Sequence, residues 1–305
     1  MIRPVQKDLY AVIGNPVAHS LSPVMMNAVF EALNIPAVYV ALEVADLVED
    51  LVTLSRTGFQ GLSVTIPHKE SAYQLAECAD DPAREIGAVN TLRLRGTHWE
   101  GLNTDWIGAI SALNRAMCQS ANQHDTGASL ASSQHSALST QHRLLDKRAL
   151  VLGAGGVARA VVYGLKREGA AVTISNRGTE RGKALAHAFD CAFLPALELQ
   201  RLDETAAFDI IVQCTSVGLM DEEEFTLLPD SLLRPGTLAM DTVYRPLWTA
   251  FLRKAKAAGC ITVAGVEMLL HQGIAQLAWW FGEVVQPEAA LPVMREALMG
   301  ILTDE

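Results

Sequence analysis

Charge is scarce in this chain, and basic charge is scarcer than acidic. Of 305 residues only 19% are charged, and 24 Lys and Arg against 34 Asp and Glu leave a formal net charge of −10. A protein that holds nucleic acid regardless of sequence needs a basic face, so no nucleic-acid partner is expected. A few local arginines would still suffice for a phosphate. No uninterrupted apolar run approaches the roughly 20 residues that span a bilayer, and the opening Met1-Ile2-Arg3-Pro4-Val5 lacks the apolar core of a signal peptide. The five cysteines (Cys78, Cys118, Cys191, Cys214 and Cys260) are scattered, odd in number and without a C-x-x-C pair. That pattern fits no disulfide framework and reads as reduced thiols. The expectation is a cytoplasmic protein with no membrane partner.

What the chain has in quantity is apolar residues, 50% of the total. This is enough for large cores, and the length suits two domains. Short apolar runs alternate with amphipathic stretches, the pattern of an α/β architecture. Strands are predicted at 9–13, 38–42, 62–66 and 89–94, with helices at 24–33, 47–54 and 105–116. Ser22 before Pro23 reads as a helix cap. A second α/β block follows, with strands at 149–152, 171–175, 210–212, 238–240 and 261–263. Its helices are predicted at 157–167, 179–189 and 248–258, and two helical stretches, 266–281 and 287–302, close the chain.

Between the blocks, residues 119–142 carry one charge, Asp125, and are rich in Ser, Gln, Ala and His. Such a tract buries too little apolar area to offset its ordering entropy, so it reads as a flexible polar insert. The spacings of His124, His135 and His142 match no common metal pattern. No metal site is expected.

Gly153, Gly155 and Ala158, with Ala154 and Gly156 between them, follow a strand and open a helix. That context turns a weak glycine motif into a dinucleotide loop. The first glycine allows a tight turn, the second lets backbone approach a pyrophosphate, and the small third residue lets helix pack on strand. An NAD site places an acid about 20 residues on. Here stand Asn176, Arg177 and, four further, Arg181. Two arginines without an acid suit a 2′-phosphate, because arginine at a helix start is unfavourable unless an anion is there. NADP is therefore the expected cofactor.

Lys69 and Asp105 each close a strand-like run, and Lys69 is expected in a loop that presents it toward a cleft. Taken singly, Lys69 reads more readily as a surface lysine beginning a helix, and Asp105 reads as well as a first-turn acid beside Thr104. Their occurrence together with a nicotinamide-type domain makes them the candidate proton-transfer pair. His19, His68 and His98 have no evident triad partners and read as structural or surface residues.

These residues also carry a resemblance. Gly14-Asn15-Pro16-Val17-Ala18-His19-Ser20-Leu21-Ser22-Pro23, Val64-Thr65-Ile66-Pro67-His68-Lys69, Gly87-Ala88-Val89-Asn90-Thr91 and Asn103-Thr104-Asp105 are similar to the motifs of shikimate dehydrogenases. So are Gly153-Ala154-Gly155-Gly156, Asn176-Arg177 and Gly265-Val266-Glu267-Met268-Leu269-Leu270-His271-Gln272. The likeness runs in order over about 8–282, the polar insert apart.

The resemblance implies an NADP-dependent enzyme interconverting shikimate and 3-dehydroshikimate, in the aromatic amino-acid and chorismate pathway. It implies Lys69 and Asp105 as the catalytic pair and Ser20 and Ser22 as holders of the substrate carboxylate, with Tyr244 beside it. Thr65, Asn90, Asp105 and Gln272 match groups that bond the ring hydroxyls. Thr215 joins the expected cofactor set, and Gly265 matches a residue near the nicotinamide. The implied architecture is an N-terminal α/β substrate domain (1–104 with 265–305) and a Rossmann-type doubly wound NADP domain (105–264, including the insert). The C-terminal helices return to the first domain, in a monomer or homodimer. There are departures. Ser63 stands where the family often has Asn, which leaves quinate open as a substrate. Gly178 replaces a common Thr, which leaves dual NAD and NADP use open. A ligand sensor on the same scaffold would keep the pocket but need not keep Lys69 and Asp105.

Overall fold

The computed structural model describes residues 7–124, 144–203, 205–219 and 227–302. They fall into two compact units, Met1–Gly108 with Leu270–Glu305, and Ala109–Leu269. The fold is α/β throughout.

The first unit begins β1 (Asp8–Gly14), α1 (Ser22–Ala32), β2 (Ala37–Glu43), α2 (Leu47–Arg56) and β3 (Phe59–Val64). It continues with α3 (Lys69–Leu75), β4 (Cys78–Ala79), α4 (Asp81–Ile86), β5 (Thr91–Arg95), β6 (His98–Leu102) and the start of α5 (Asp105–His124). The sheet order is β2-β1-β3-β5-β6-β4. β1 pairs parallel with both β2 and β3, whereas β5 runs antiparallel to β3 and β6. A strand buried on both faces is apolar without alternation, and Ala11, Val12 and Ile13 are all buried. Because β2 and β3 flank β1, their connections leave in opposite directions, opening a crevice at the carboxyl ends of β1 and β3. Asp46 caps α2, accepting from the Val48 and Glu49 amides. Asp80 caps α4, which ends at Gly87 in the left-handed region (φ +69°).

Two more helices complete this unit, α10 (Gly265–Phe281), which enters it at Leu270, and α11 (Pro287–Leu302). α11 packs on α1. α10 lies on the sheet through Trp280, whose indole donates to the Leu92 carbonyl at 3.1 Å. Gly61 makes room for it, since a β-carbon there would stand 2.6 Å from the indole nitrogen.

In the second unit β7 (Arg148–Leu152), α6 (Gly156–Arg167), β8 (Ala171–Asn176), α7 (Thr179–Ala188), β9 (Ala192–Pro195) and α8 (Ala196–Leu199) lead into β10 (Ile210–Gln213). β11 (Leu238–Asp241), α9 (Ala250–Ala257) and β12 (Ile261–Val263) follow. All six strands are parallel, in the order β12-β11-β10-β7-β8-β9. Counted from β7 this is the 3-2-1-4-5-6 order of a doubly wound dinucleotide fold.

Three expectations need correction. The helix predicted at 105–116 runs on to His124, so the first six residues of the supposed insert are helical. Ala116, Met117, Gln119 and Ala121 are good helix formers and neither Gly nor Pro intervenes. The rest of that tract lies outside the described residues. Ser22 is not a cap: Leu21 holds that position, without a side-chain bond, and Ser22 is already helical. Lys69 stands not in a loop but at the first residue of α3. Among the described residues no helix is long and apolar enough to cross a membrane.

Candidate active site

Lys69 opens α3 just beyond β3, and Asp105 opens α5 just beyond β6. The main chain brings them together. The Lys69 carbonyl accepts from the Val89 amide at 3.0 Å, and the Asp105 amide donates to Asn103 Oδ1 at 3.0 Å. Asn103, fully buried, is itself tied to the Ala88 carbonyl. Lys69 Nζ then reaches Asp105 Oδ2 at 2.5 Å, with 12% and 5% of the two side chains exposed. Lys69 is therefore no surface lysine.

Asn90 and Gln272 join the same cluster. Asn90 Nδ2 donates to Asp105 Oδ1 and Thr104 Oγ1, each at 2.9 Å, and lies 3.3 Å from Gln272 Oε1. Its Oδ1 accepts from the Thr104 amide at 2.8 Å and from Thr91 Oγ1 at 2.9 Å. Asp105 thus has a cation on one oxygen and an amide donor on the other, in a site nearly closed to water. Hydrogen bonds to charged groups are the strong ones.

Of the other expected substrate residues, Ser20, Ser22 and Thr65 belong to this unit and Tyr244 to the second. Ser20 and Ser22 follow the end of β1, where the Ser22 amide donates to Ser20 Oγ at 3.3 Å. Thr65 follows β3, its amide bonded to the Ile13 carbonyl. Gly14 lets it close in, since a β-carbon at Gly14 would meet the Thr65 methyl at 2.4 Å. Ser63 does not present its hydroxyl there. The group is buried, accepting from Tyr39 Oη at 2.6 Å and donating to Gln276 Oε1 at 2.8 Å. The structure therefore offers no support for Ser63 as a loosener of substrate choice.

His68 and His98 are engaged outside this cluster. His68 Nε2 lies 2.7 Å from the Val44 carbonyl in the core, and His98 pairs with Glu77 where both side chains are more than half exposed. Among the described residues no three His, Cys, Asp or Glu side chains converge as a metal site would require.

In the second unit Gly153 follows β7 with φ +114°, and a β-carbon there would stand 3.2 Å from the backbone of Cys214 and the methyl of Thr215. Gln213, fully buried at the end of β10, shapes that neighbour: its Oε1 accepts from the Thr215 amide and its Nε2 donates to the Val217 carbonyl. Gly155 is the N-cap of α6 with no side-chain bond to the helix start, and a β-carbon there would meet nothing within 4 Å. An open approach to bare helix amides fits a pyrophosphate. Ala158 is fully buried, as close helix packing requires. Asn176 ends β8, and its amide turns back to the Gly178 carbonyl at 2.9 Å. Arg177 and Arg181 are exposed at the start of α7. These residues fit a phosphorylated dinucleotide.

Further along, Asp241 ends β11 fully buried, accepting from the Val243 amide at 2.9 Å and from Thr249 Oγ1 at 2.6 Å. Thr249 in turn caps α9. The turn so held carries Tyr244, and Gly265 packs on it. Burial pushes the Asp241 carboxyl up to about 6, against these two hydrogen bonds, which pull it down. Sequence reasoning missed Asp241, Gln213 and Gln276. Only Gln276 left a signal: four residues beyond Gln272 in an apolar helix, it shares a helix face with an expected site residue.

Known proteins resemble this chain along its length. A family model for the shikimate dehydrogenase substrate binding domain matches residues 12–92, and one for shikimate / quinate 5-dehydrogenase matches 135–223. The shikimate dehydrogenase (NADP(+)) of Syntrophobacter fumaroxidans is 51% identical over 305 residues, covering 100% of this chain and 98% of that protein. The crystal structure of shikimate dehydrogenase from Aquifex aeolicus superposes with a TM-score of 0.80 at 35% identity, over 97% of this chain and 100% of that one. Shikimate 5-dehydrogenase from Thermus thermophilus, in complex with NADP(H) and shikimate, gives 0.74 at 33% identity over 95% and 99%. Two compact α/β units, a doubly wound dinucleotide sheet and relatives matched end to end leave one assignment: the chain belongs to the shikimate dehydrogenase family.

Proposed function

We propose that this chain is an NADP-dependent shikimate dehydrogenase, reversibly oxidising shikimate to 3-dehydroshikimate in the cytoplasm. The observation that carries the reading is the shielded Lys69–Asp105 pair, 2.5 Å apart and tied through Asn90 to Gln272. A cyclic triol acid calls for neutral hydrogen-bond partners plus one carboxylate site. Thr65, Asn90 and Gln272 supply the first, with Ser20, Ser22 and Tyr244 for the carboxylate. The substrate domain is taken as 1–104 with 265–305, and the cofactor domain as 105–264.

When bound, NADP+ supplies the hydride acceptor. Lys69, as the neutral amine, takes the proton of the C3 hydroxyl, directly or by relay, and as the ammonium so formed it stabilises the oxyanion that develops there. Asp105 holds Lys69 and the hydroxyl in line. Gly153, Ala154, Gly155, Gly156 and Ala158 form the pyrophosphate turn, and Thr215 braces it. Asn176, Arg177 and Arg181 would hold the 2′-phosphate end, and Gly265 would face the nicotinamide.

Initial rates with shikimate and quinate, each against NADP and NAD, test the whole assignment. Shikimate with NADP is expected to give the highest kcat/KM. Turnover confined to quinate with NAD would overturn it, and silence with all four pairs would favour a sensor.

A further inference from the structure

Five buried polar side chains lead away from Asp105 into the sheet, where apolar residues would cost less. Tyr39 on β2, Ser63 on β3, Gln276 on α10 and Asn90 and Thr91 at the start of β5 are each at most 6% exposed. Tyr39 Oη lies 2.6 Å from Ser63 Oγ, and Ser63 Oγ 2.8 Å from Gln276 Oε1. Gln276 Nε2 is 3.0 Å from Thr91 Oγ1, Thr91 Oγ1 is 2.9 Å from Asn90 Oδ1, and Asn90 Nδ2 is 2.9 Å from Asp105 Oδ1.

The direction of every bond follows from two backbone groups. The Thr104 amide, 2.8 Å away, can only donate, so the Asn90 atom facing it is the oxygen. The Asn90 carbonyl can only accept, so the Gln276 atom 3.3 Å from it is the nitrogen. Thr91 must then accept from Gln276 and donate to Asn90. The other end of Gln276 is an acceptor, so Ser63 donates to it and Tyr39 donates to Ser63. All five bonds point the same way, and they end on the carboxylate that faces Lys69. Aligned hydrogen bonds polarise one another, so each link strengthens the donor that Asn90 turns on Asp105.

We infer that this chain is a positioning device for the catalytic pair, with Gln276 and Thr91 as its middle links. The inference rests on the proton-transfer roles proposed above for Lys69 and Asp105. The Thr104 amide already decides which way the Asn90 amide faces. The chain adds alignment and polarisation, so its loss should weaken catalysis without abolishing it. It also accounts for Ser63: a short hydroxyl is what Tyr39 and Gln276 can both reach.

Thr91→Val is the nearly isosteric break, with Thr91→Ser as its rescue, Tyr39→Phe at the far end, and Lys69→Ala as the control on the underlying reading. Thr91→Val is expected to lower kcat about 5- to 10-fold, since Asn90 then turns a weaker donor on Asp105. Both KM values should stay within about twofold. Thr91→Ser should restore kcat. Tyr39→Phe should lower kcat about 2- to 3-fold, and the double variant should be no worse than Thr91→Val, because one chain is already broken. The inference is overturned if Thr91→Val keeps kcat within twofold, if the shikimate KM rises as much as kcat falls, or if Thr91→Ser fails to rescue. If Thr91→Val does not fold, an unchanged kcat in Tyr39→Phe, alone and beside Thr91→Ser, overturns it instead. Wild-type kcat in Lys69→Ala would remove the catalytic reading and this inference together. An inactive Lys69→Ala beside an unaffected Thr91→Val removes this inference alone.

Discussion

Asp105 accepts from Lys69 on one carboxylate oxygen at 2.5 Å and from Asn90 on the other at 2.9 Å, so both its oxygens are held. Asp105→Asn keeps the shape but replaces one acceptor oxygen with an amide that repels the ammonium. With the pair aligned for proton transfer, kcat is expected to fall by about 10²- to 10⁴-fold, the usual range for such a group. The shikimate KM should rise far less. Fold stability should fall by somewhat less than the 3–5 kcal/mol typical of a fully buried broken pair, because Lys69 keeps 12% exposure. Steady-state kinetics with urea unfolding checks both, and a kcat within threefold of wild type would remove Asp105 from the mechanism.

The two glycines of the dinucleotide turn should respond differently to the same methyl group. At Gly153 the backbone is left-handed, and a β-carbon would stand 3.2 Å from the Cys214 carbonyl. Gly153→Ala should therefore cost about 1–3 kcal/mol of stability as well as cofactor affinity. At Gly155 the backbone is extended and the space is empty. Gly155→Ala should leave stability within about 0.5 kcal/mol yet raise the NADP KM at least tenfold, because the methyl occupies the pyrophosphate's approach. Thermal unfolding and KM measurements separate them. An unchanged NADP KM in Gly155→Ala would show that the pyrophosphate lies elsewhere.

Gly265 is constrained by its neighbour and not by its own dihedrals. A β-carbon there would lie 2.4 Å from the Val243 carbonyl oxygen and 2.9 Å from the Thr242 carbonyl carbon, both backbone atoms. Backbone held by Asp241 cannot swing aside as a side chain can, so Gly265→Ala should destabilise by about 1–3 kcal/mol. Activity should fall further than the folded fraction, since the turn carries Tyr244. Circular dichroism melts beside kcat/KM are the check, and a variant as stable as wild type would mean that the turn yields.

Much of this was legible in the sequence because it is local. Leu150, Val151 and Leu152 form an apolar run stopped by glycine, which is what a strand buried on both faces looks like. Short elements were harder. Lys69–Leu75 buries only Ala72, so α3 shows no apolar period. His98–Leu102 alternates in burial, but Glu100 and Gly101 hide the pattern from a composition-based reading. At the site, the charged pair stood out because charge is rare here. Its supports did not: Gln276 meets Thr91 across 185 residues of sequence, and nothing in its own neighbourhood announces that contact. Ser22 misled because Ser before Pro has the chemistry of a cap, yet Leu21 already occupies that position.

Asp241 yields a prediction whose sign can be worked out. Its carboxyl titrates at about 6 in the folded protein, against about 3.9 in an unfolded chain. The folded state therefore holds the proton more tightly. The stability this group permits is fully present below about pH 4 and is lost as pH rises through about 6. Roughly two units correspond to about 3 kcal/mol, the desolvation cost of a buried carboxylate at neutral pH. Asp241→Asn removes that titration, while its side-chain oxygen can still accept from the Val243 amide. Measured by urea unfolding, the stability of Asp241→Asn relative to wild type should thus improve by about 2 kcal/mol between pH 4 and pH 7. All other titrating groups cancel in the comparison. A difference that stays flat across that interval would mean that Asp241 is ionised at no cost, held by donors stronger than Thr249 and Val243 supply.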